Sequence, residues 1–249
     1  MCDECGCGQP EPAPAHGHAH GPAHGHAHEQ VAEARVLDIR RNVRAANDAL
    51  AAQNRDWLAQ RGAVVVNLIS SPGAGKTTLL ERTLLELRGG DRPLGVVEGD
   101  QQTDNDARRI AATGVSVVQI NTGASCHLDA HQVGHALQDL DPPHGALVFV
   151  ENVGNLICPA GFDLGQAVDV TVLSVTEGDD KPEKYPTAFH EADAMVLSKM
   201  DLLAHVDFDV DRAERFARAL NPKLPSFRLS AKTGDGLQAW LDWLAGLTA

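Results

Sequence analysis

Ser70-Ser71-Pro72-Gly73-Ala74-Gly75-Lys76-Thr77-Thr78 is the stretch on which the fold turns. It follows the mostly β-branched run Val64 to Ile69 and opens a segment, Thr77 to Leu87, whose apolar residues recur at helical spacing. A strand, a glycine-rich turn, Lys-Thr and a helix make up the context of a phosphate-binding loop. Gly73 and Gly75, with Ala74 between them, let backbone N–H groups wrap phosphates at a helix N-terminus. Lys76 is expected to reach the β- and γ-phosphates, and the Thr77 hydroxyl to hold Mg²⁺, with Thr78 closing the motif. The first position of G-x-x-x-x-G-K-T is Ser70 instead of glycine, so the site is read from its context and not from a bare pattern.

Outward from this loop, short apolar runs alternate with helical patterns. Leu94 to Val97, Val117 to Ile120, Ala146 to Val150, Val170 to Val175 and Ala194 to Leu197 continue the strands, and Asp104 to Ala112 and Asp129 to Leu140 are helical. The fold class is therefore α/β, a mostly parallel sheet covered by helices on both faces. Ligands in such sheets bind at the carboxyl ends of the strands. Leu237 to Leu247, with Trp240 and Trp243, reads as a closing amphipathic helix.

A second constellation addresses the base. Ser198-Lys199-Met200-Asp201 ends an apolar strand and resembles the guanine motif N-K-x-D, with Ser198 in place of Asn. Asp201 would accept from the ring N–H and exocyclic amine of guanine; adenine offers neither donor in that geometry, which leaves a buried carboxylate unpaired. Ser230-Ala231-Lys232 matches a loop that completes guanine pockets, so GTP is favoured over ATP. Asp100, after Val96-Val97-Glu98-Gly99, and Glu151, after Leu147 to Val150, stand at strand ends where a carboxylate meets Mg²⁺. Asp104, in the loop beyond Asp100, is a candidate to orient the attacking water.

Two further clusters suit softer metals. Cys126-His127 and Cys158 lie on loops after strands, and thiolates with an imidazole suit Zn²⁺ or Ni²⁺. From spacing alone two readings stand, metal ligands or buried small residues. His131 and His135 continue from His127 at four-residue spacing and read as a solvated helix face. At the N-terminus, Cys2, Cys5 and Cys7 form C-x-x-C-x-C, a set able to adopt the square-planar geometry that Ni²⁺ accepts. His16, His18, His20, His24, His26 and His28 would add a weaker, multivalent nickel store.

Composition sets the frame. The 249 residues are 43% hydrophobic, enough for a sizeable core, and 34 acidic against 21 basic side chains give a net charge of -13. That acidity disfavours nucleic acid and anionic membranes as partners. No apolar run approaches the roughly 20 residues of a membrane span, and no secretory signal is visible, so a reducing, cytoplasmic setting is expected for the five cysteines. Residues 1–30 carry no Lys or Arg and read as a disordered Cys/His-rich tail. Residues 31–62 read as a helix whose face is Val36, Ile39, Val43, Ala46, Leu50 and Trp57, stopped at Gly62, and 63–249 as the nucleotide domain.

Taken together these residues resemble the hydrogenase nickel-incorporation GTPase family, HypB. The likeness covers essentially the whole chain, including Cys2 to Cys7, Ser71 to Thr77, Glu98-Gly99-Asp100, Cys126-His127, Glu151 to Pro159 and Thr176 to Pro182. It implies a P-loop GTPase of the nucleotide-dependent dimerising class, a metal site at Cys126, His127 and Cys158 near the dimer interface, and a tight nickel site at Cys2, Cys5 and Cys7. It further implies slow GTP hydrolysis, nickel delivery to the large subunit of nickel-iron hydrogenase, and a HypA-type metallochaperone as partner. The urease accessory GTPases share the plan but present Cys-Pro-His, where Ala160 follows Cys158-Pro159 here. A nickel or zinc storage protein with a non-catalytic P-loop is the other alternative.

Overall fold

The computed structural model describes the backbone of residues 25–100, 104–123 and 125–248, and side chains from residue 42 onward within those ranges. The chain divides into two units, residues 1–41 and 42–249. Helix α1 runs Gly25–Gln60 and so begins within the stretch expected to be a structureless tail.

The second unit holds seven strands: β1 (Val64–Ser70), β2 (Leu94–Asp100), β3 (Ser116–Asn121), β4 (Leu147–Glu151), β5 (Val168–Ser174), β6 (Ala194–Ser198) and β7 (Ser226–Arg228). They form one sheet in the order β3-β2-β4-β1-β5-β6-β7, and every adjacent pair is parallel. The remaining helices are α2 (Lys76–Leu87), α3 (Asn105–Ala111), α4 (Ala130–Leu140), α5 (Lys181–Lys184), α6 (Pro186–His190), α7 (Val210–Leu220) and α8 (Leu237–Ala245). The residues of β1 are buried throughout, as expected of a strand covered on both faces. Val64, Val66 and Leu68 pack with Leu80 and Leu84 of α2 and Trp240 and Leu244 of α8. Val65 packs toward Leu58 of α1 and Val133 and Leu137 of α4, and Ile69 joins the cluster around Phe189 of α6 and Ala213 of α7. The indole of Trp240 is fully buried and donates to the Thr83 hydroxyl at 3.0 Å, so its one polar atom is paired.

Parallel register brings the functional ends to one edge. Leu68 and Glu98 both stand opposite Glu151, and Ser174 stands opposite Ser198. The turns after β1, β2, β4 and β6 consequently open on the same side. Among the described residues, no helix is long and apolar enough to cross a membrane.

One expectation is corrected in α1. Val43 and Ala46 are exposed; Leu50 and Trp57 are half-buried, Trp57 against the Leu58 cluster; the side chains of Val36 and Ile39 lie outside the described residues; and Asn47, Ala51, Asn54 and Leu58 also face inward. Asn47 donates to the Asp163 carbonyl (2.7 Å) and accepts from Ala130 N–H (2.9 Å), while Asn54 donates to the Ala130 and Leu164 carbonyls (2.7 and 2.9 Å). This helix lies against loop backbone with open hydrogen-bonding groups, so its docking face needs amides where an apolar period would supply Val and Ala.

Candidate functional site

Gly73 and Gly75 adopt left-handed backbone (φ 74° and 95°), which turns the chain tightly from β1 into α2. The loop borders a cleft of about 470 Å³ lined also by Lys76, Thr77, Thr78, Asp100, Glu151 and Lys199. Lys76 Nζ donates to the Ser70 hydroxyl at 2.8 Å, and burial lowers its pKa against the opposing pull of Glu151. Ser70 therefore has a use that the usual glycine lacks: it holds the lysine. Thr77 donates to Glu151 Oε1 at 2.7 Å. The other oxygen of Glu151 and Oε2 of Glu98 are buried without a hydrogen-bond partner among the described residues. Burial pushes Glu98 up to about 8, with the nearby Glu151 adding to the shift, and pushes Glu151 up to about 7. Orphaned carboxylate oxygens beside a hydroxyl are the chemistry of a hard-cation site.

A second cleft of about 230 Å³ adjoins it, sharing Gly75, Thr78 and Lys199, and is lined by Ser198, Asp201, Ser230, Ala231 and Lys232. Ser230 donates to Asp201 Oδ1 at 2.7 Å, which fixes the carboxylate. Ser198 donates to the Ala74 carbonyl at 2.7 Å, so the serine that replaces Asn ties the base loop to the phosphate loop. Lys199 is a non-glycine residue in left-handed backbone (φ 59°), and its ammonium reaches the Gly73 carbonyl at 2.6 Å. That conformation costs an L-residue roughly 1–2 kcal/mol, offset here by a charge-assisted bond to the phosphate loop.

Cys126, His127 and Cys158 come together: one ligand atom from each lies within 4.8 Å of the others. Cys126 Sγ is 3.5 Å from His127 Nδ1, and the imidazole packs on Phe162 with ring centroids 4.2 Å apart. A hydrogen bond with Cys158 and burial raise the Cys126 thiol, while burial lowers His127 and favours its neutral form. Two thiols and a neutral imidazole suit Ni²⁺ or Zn²⁺, whose binding would displace the thiol protons.

These two regions touch. Leu128, next to His127, is fully buried against Gly99: a Cβ at 99 would come within 2.8 Å of its side chain. Its N–H donates to Asn152 Oδ1 at 3.2 Å, and Asn152, beside Glu151, lines the nucleotide cleft. The segment leading to Cys158 also lies on the phosphate loop, through a bridge between Ser70 and Asn155 and a Gly154 whose Cβ would stand 3.0 Å from Pro72 Cα.

Residues 64–228 match the family model for the CobW/HypB/UreG nucleotide-binding domain. The chain is 56% identical over 214 residues to the hydrogenase maturation factor HypB of Azotobacter vinelandii, covering 86% of this chain and 70% of that protein. The chain belongs to the HypB family. Two HypB crystal structures, each 41% identical, share the fold: that from Helicobacter pylori in complex with nickel (TM-score 0.74, 80% of this chain and 94% of that one) and that from Archaeoglobus fulgidus (TM-score 0.75, 81% and 98%).

Within this HypB fold, the expected phosphate, base and G-domain metal residues fall into the three groups above, with one exception. Asp104 is exposed, pairs with Arg108 at 2.6 Å, and does not line the cleft; Asp106 does, one helical turn before Ile110 buries the same helix. Cys2, Cys5, Cys7, His16, His18, His20 and His24 lie outside the described residues, as do the side chains of His26 and His28. Sequence reading missed Glu98, Asn152, Arg109 and Lys181. Arg109 donates to the Thr78 hydroxyl at 3.1 Å, and Lys181 to the Ser71 hydroxyl at 3.2 Å. Arg109 sits in a helix remote in sequence from the phosphate loop with no spacing to mark it, while Lys181 lies in the Thr176 to Pro182 stretch that carried the likeness but gave it no role.

Proposed function

We propose that this chain hydrolyses GTP and carries nickel for the maturation of nickel-iron hydrogenase, its nucleotide state setting the affinity of Cys126, His127 and Cys158 for the metal. The contact of Leu128 with both Gly99 and Asn152 carries this reading, because it joins the segment bearing two metal ligands to two walls of the nucleotide cleft. The membership of the HypB family and a relative solved in complex with nickel support the choice of cargo.

In this reading the N–H groups of residues 73–78 and the Lys76 ammonium hold the phosphates, and Asp201 with Ser230, Ala231 and Lys232 selects guanine. Thr77, Asp100 and Glu151 would hold Mg²⁺, which when bound would offset phosphate charge. Arg109, already in contact with Thr78, stands beside the same phosphates. Hydrolysis lets the 98–100 and 151–155 segments relax, and Leu128 transmits the change to His127 while Asn155 transmits it toward Cys158. Linkage makes the effect reciprocal, so metal alters nucleotide affinity by the same free energy.

Three ligands per chain leave the shell open, and a second copy can complete it across a two-fold axis. Ile157, 67% exposed beside Cys158, is the apolar residue that a GTP-bound dimer would cover. A HypA-type metallochaperone and the hydrogenase large subunit are the partners that exchange the cargo. The Cys2, Cys5 and Cys7 set, with the tail histidines, serves as a separate nickel store.

The test is nickel loss from loaded protein in GDP and in a non-hydrolysable GTP analogue, run beside GTP turnover. A several-fold difference in loss rate together with measurable turnover supports the reading. Equal loss in both nucleotides would break the coupling, and absence of turnover would reduce the P-loop to a structural element of a storage protein.

A further inference from the structure

Helix α4 carries a pair of histidines that the nucleotide and metal groups leave unused. His131 and His135 are exposed, one turn apart, with their Nε2 atoms 3.2 Å from each other and their rings edge to face at 74°. We propose that they form a second, surface chelate for a divalent late transition ion such as Ni²⁺, separate from the Cys126, His127 and Cys158 group.

Geometry carries the proposal. With metal–nitrogen bonds of about 2.0–2.1 Å, two nitrogens 3.2 Å apart subtend an angle of roughly 100° at the ion. That value lies between the right angle of octahedral or square-planar coordination and the tetrahedral angle, so the separation of the two nitrogens is that of a chelating pair. Four-residue spacing stacks the two side chains on one helix face, as in helical His-x-x-x-His metal sites. Without an ion, one ring N–H can donate to the other ring nitrogen at this distance; a cation takes both lone pairs.

The turn is also held in place. Asp129 Oδ1 accepts from Gln132 N–H at 2.8 Å and Gln132 Oε1 accepts from Asp129 N–H at 3.2 Å, a capping box around His131. Ala130, at the helix start, exchanges hydrogen bonds with Asn47 and Asn54 of α1. A chelate on a fixed turn loses little freedom on binding. Among the described residues, no third His, Cys, Asp or Glu joins the pair in a cluster of metal-ligating atoms, so the remaining coordination positions stay open to water or to a donor from another chain. Such an open shell exchanges its ion readily, which suits a loading station more than a store.

Because the tail also offers metal ligands, the test must read single residues in the full chain. Histidine carbethoxylation mapped by mass spectrometry does so, with Ni²⁺ as the probe and Mg²⁺ as the control. Ni²⁺ is expected to protect His131 and His135 together, and Mg²⁺ to protect neither. In His131→Ala, protection of His135 should need on the order of a hundredfold more Ni²⁺, because the second ligand no longer acts at high effective concentration. In Cys126→Ala/Cys158→Ala, protection of the pair should persist, so failure of the nucleotide-coupled site leaves this proposal standing. Unchanged protection of His135 in His131→Ala, loss of protection in the double cysteine variant, or no protection at nickel levels that load the cysteine group would each overturn it.

Discussion

The nucleotide cleft and the Cys126–His127–Cys158 group stand side by side but are built differently. The cleft is made from strand ends in register, and its lysine, threonine and glutamates are buried, Lys76 held by Ser70 and Thr77 by Glu151. The metal group is half-buried and drawn from two loops. A sheet fixes backbone positions whatever occupies the cleft, whereas a loop keeps its place through a few contacts. The cleft is thus preorganised, and the metal group is movable in a way that the cleft can bias.

The largest expected effect separates the two regions. Lys76→Ala should weaken GTP binding by about 100-fold or more, from two charge-assisted phosphate contacts of ~1.5–3 kcal/mol each. Nickel binding by Cys126, His127 and Cys158 should persist. Equilibrium titration with each ligand measures both, and parallel loss of the two on a folded protein would break the comparison.

Next in size is the link itself. Asn152→Ala removes the acceptor of Leu128 N–H and the donor to Asn67 Oδ1, 3.2 Å away. A coupling of about 5- to 150-fold between nucleotide and metal affinity should fall to within about twofold, although each ligand alone still binds. Competition titration in GDP and in a GTP analogue reads the ratio. A ratio equal to that of the unaltered chain would assign the coupling to the Ser70–Asn155 contact.

Asp201→Asn should cost about tenfold in GTP-over-ATP preference, on the order of one charge-assisted bond. Its effect on nickel affinity without nucleotide should be nil, since Asp201 lies in the second cleft. An unchanged base preference would remove Asp201 from guanine recognition.

The smallest effect concerns the buried base of the link. Asp169 accepts from Asn67 (2.7 Å) and Gln166 (2.8 Å), and burial pushes its carboxyl up to about 6. Between about pH 4 and 6 the folded chain holds a proton that the unfolded chain has lost. This contribution to stability is full below the ordinary carboxyl value, declines as pH rises through 6, and is flat above it. Thermal unfolding of Asp169→Asn should show a shallower fall over that window, by a few degrees in Tm, where ~1 kcal/mol moves a domain of this size by ~2–4 °C. Identical slopes in both proteins would place the proton elsewhere.

Much of this was legible in the chain itself. Six of the seven strands follow from apolar runs, and β7 escaped because Ser226-Phe227-Arg228 offers one apolar residue and no period. The inward face of α1 differs in part from its apolar period for a related reason: periodicity reports apolar burial, and beside Ala51 and Leu58 this helix docks through Asn47 and Asn54. The phosphate loop and the base loop announced themselves because their chemistry is packed into contiguous residues, where spacing alone carries meaning.

The sequence by itself therefore determined the α/β class, the phosphate loop, the guanine-type motif and the identity of three metal-ligand candidates. Tertiary structure alone decided that Cys126 and Cys158 converge, that Asp106 and not Asp104 lines the cleft, and that Leu128 touches Gly99 and Asn152. Those facts depend on which strand ends become neighbours in a parallel sheet, and residues remote in the chain meet there through register and crossover, which no local pattern of residues encodes.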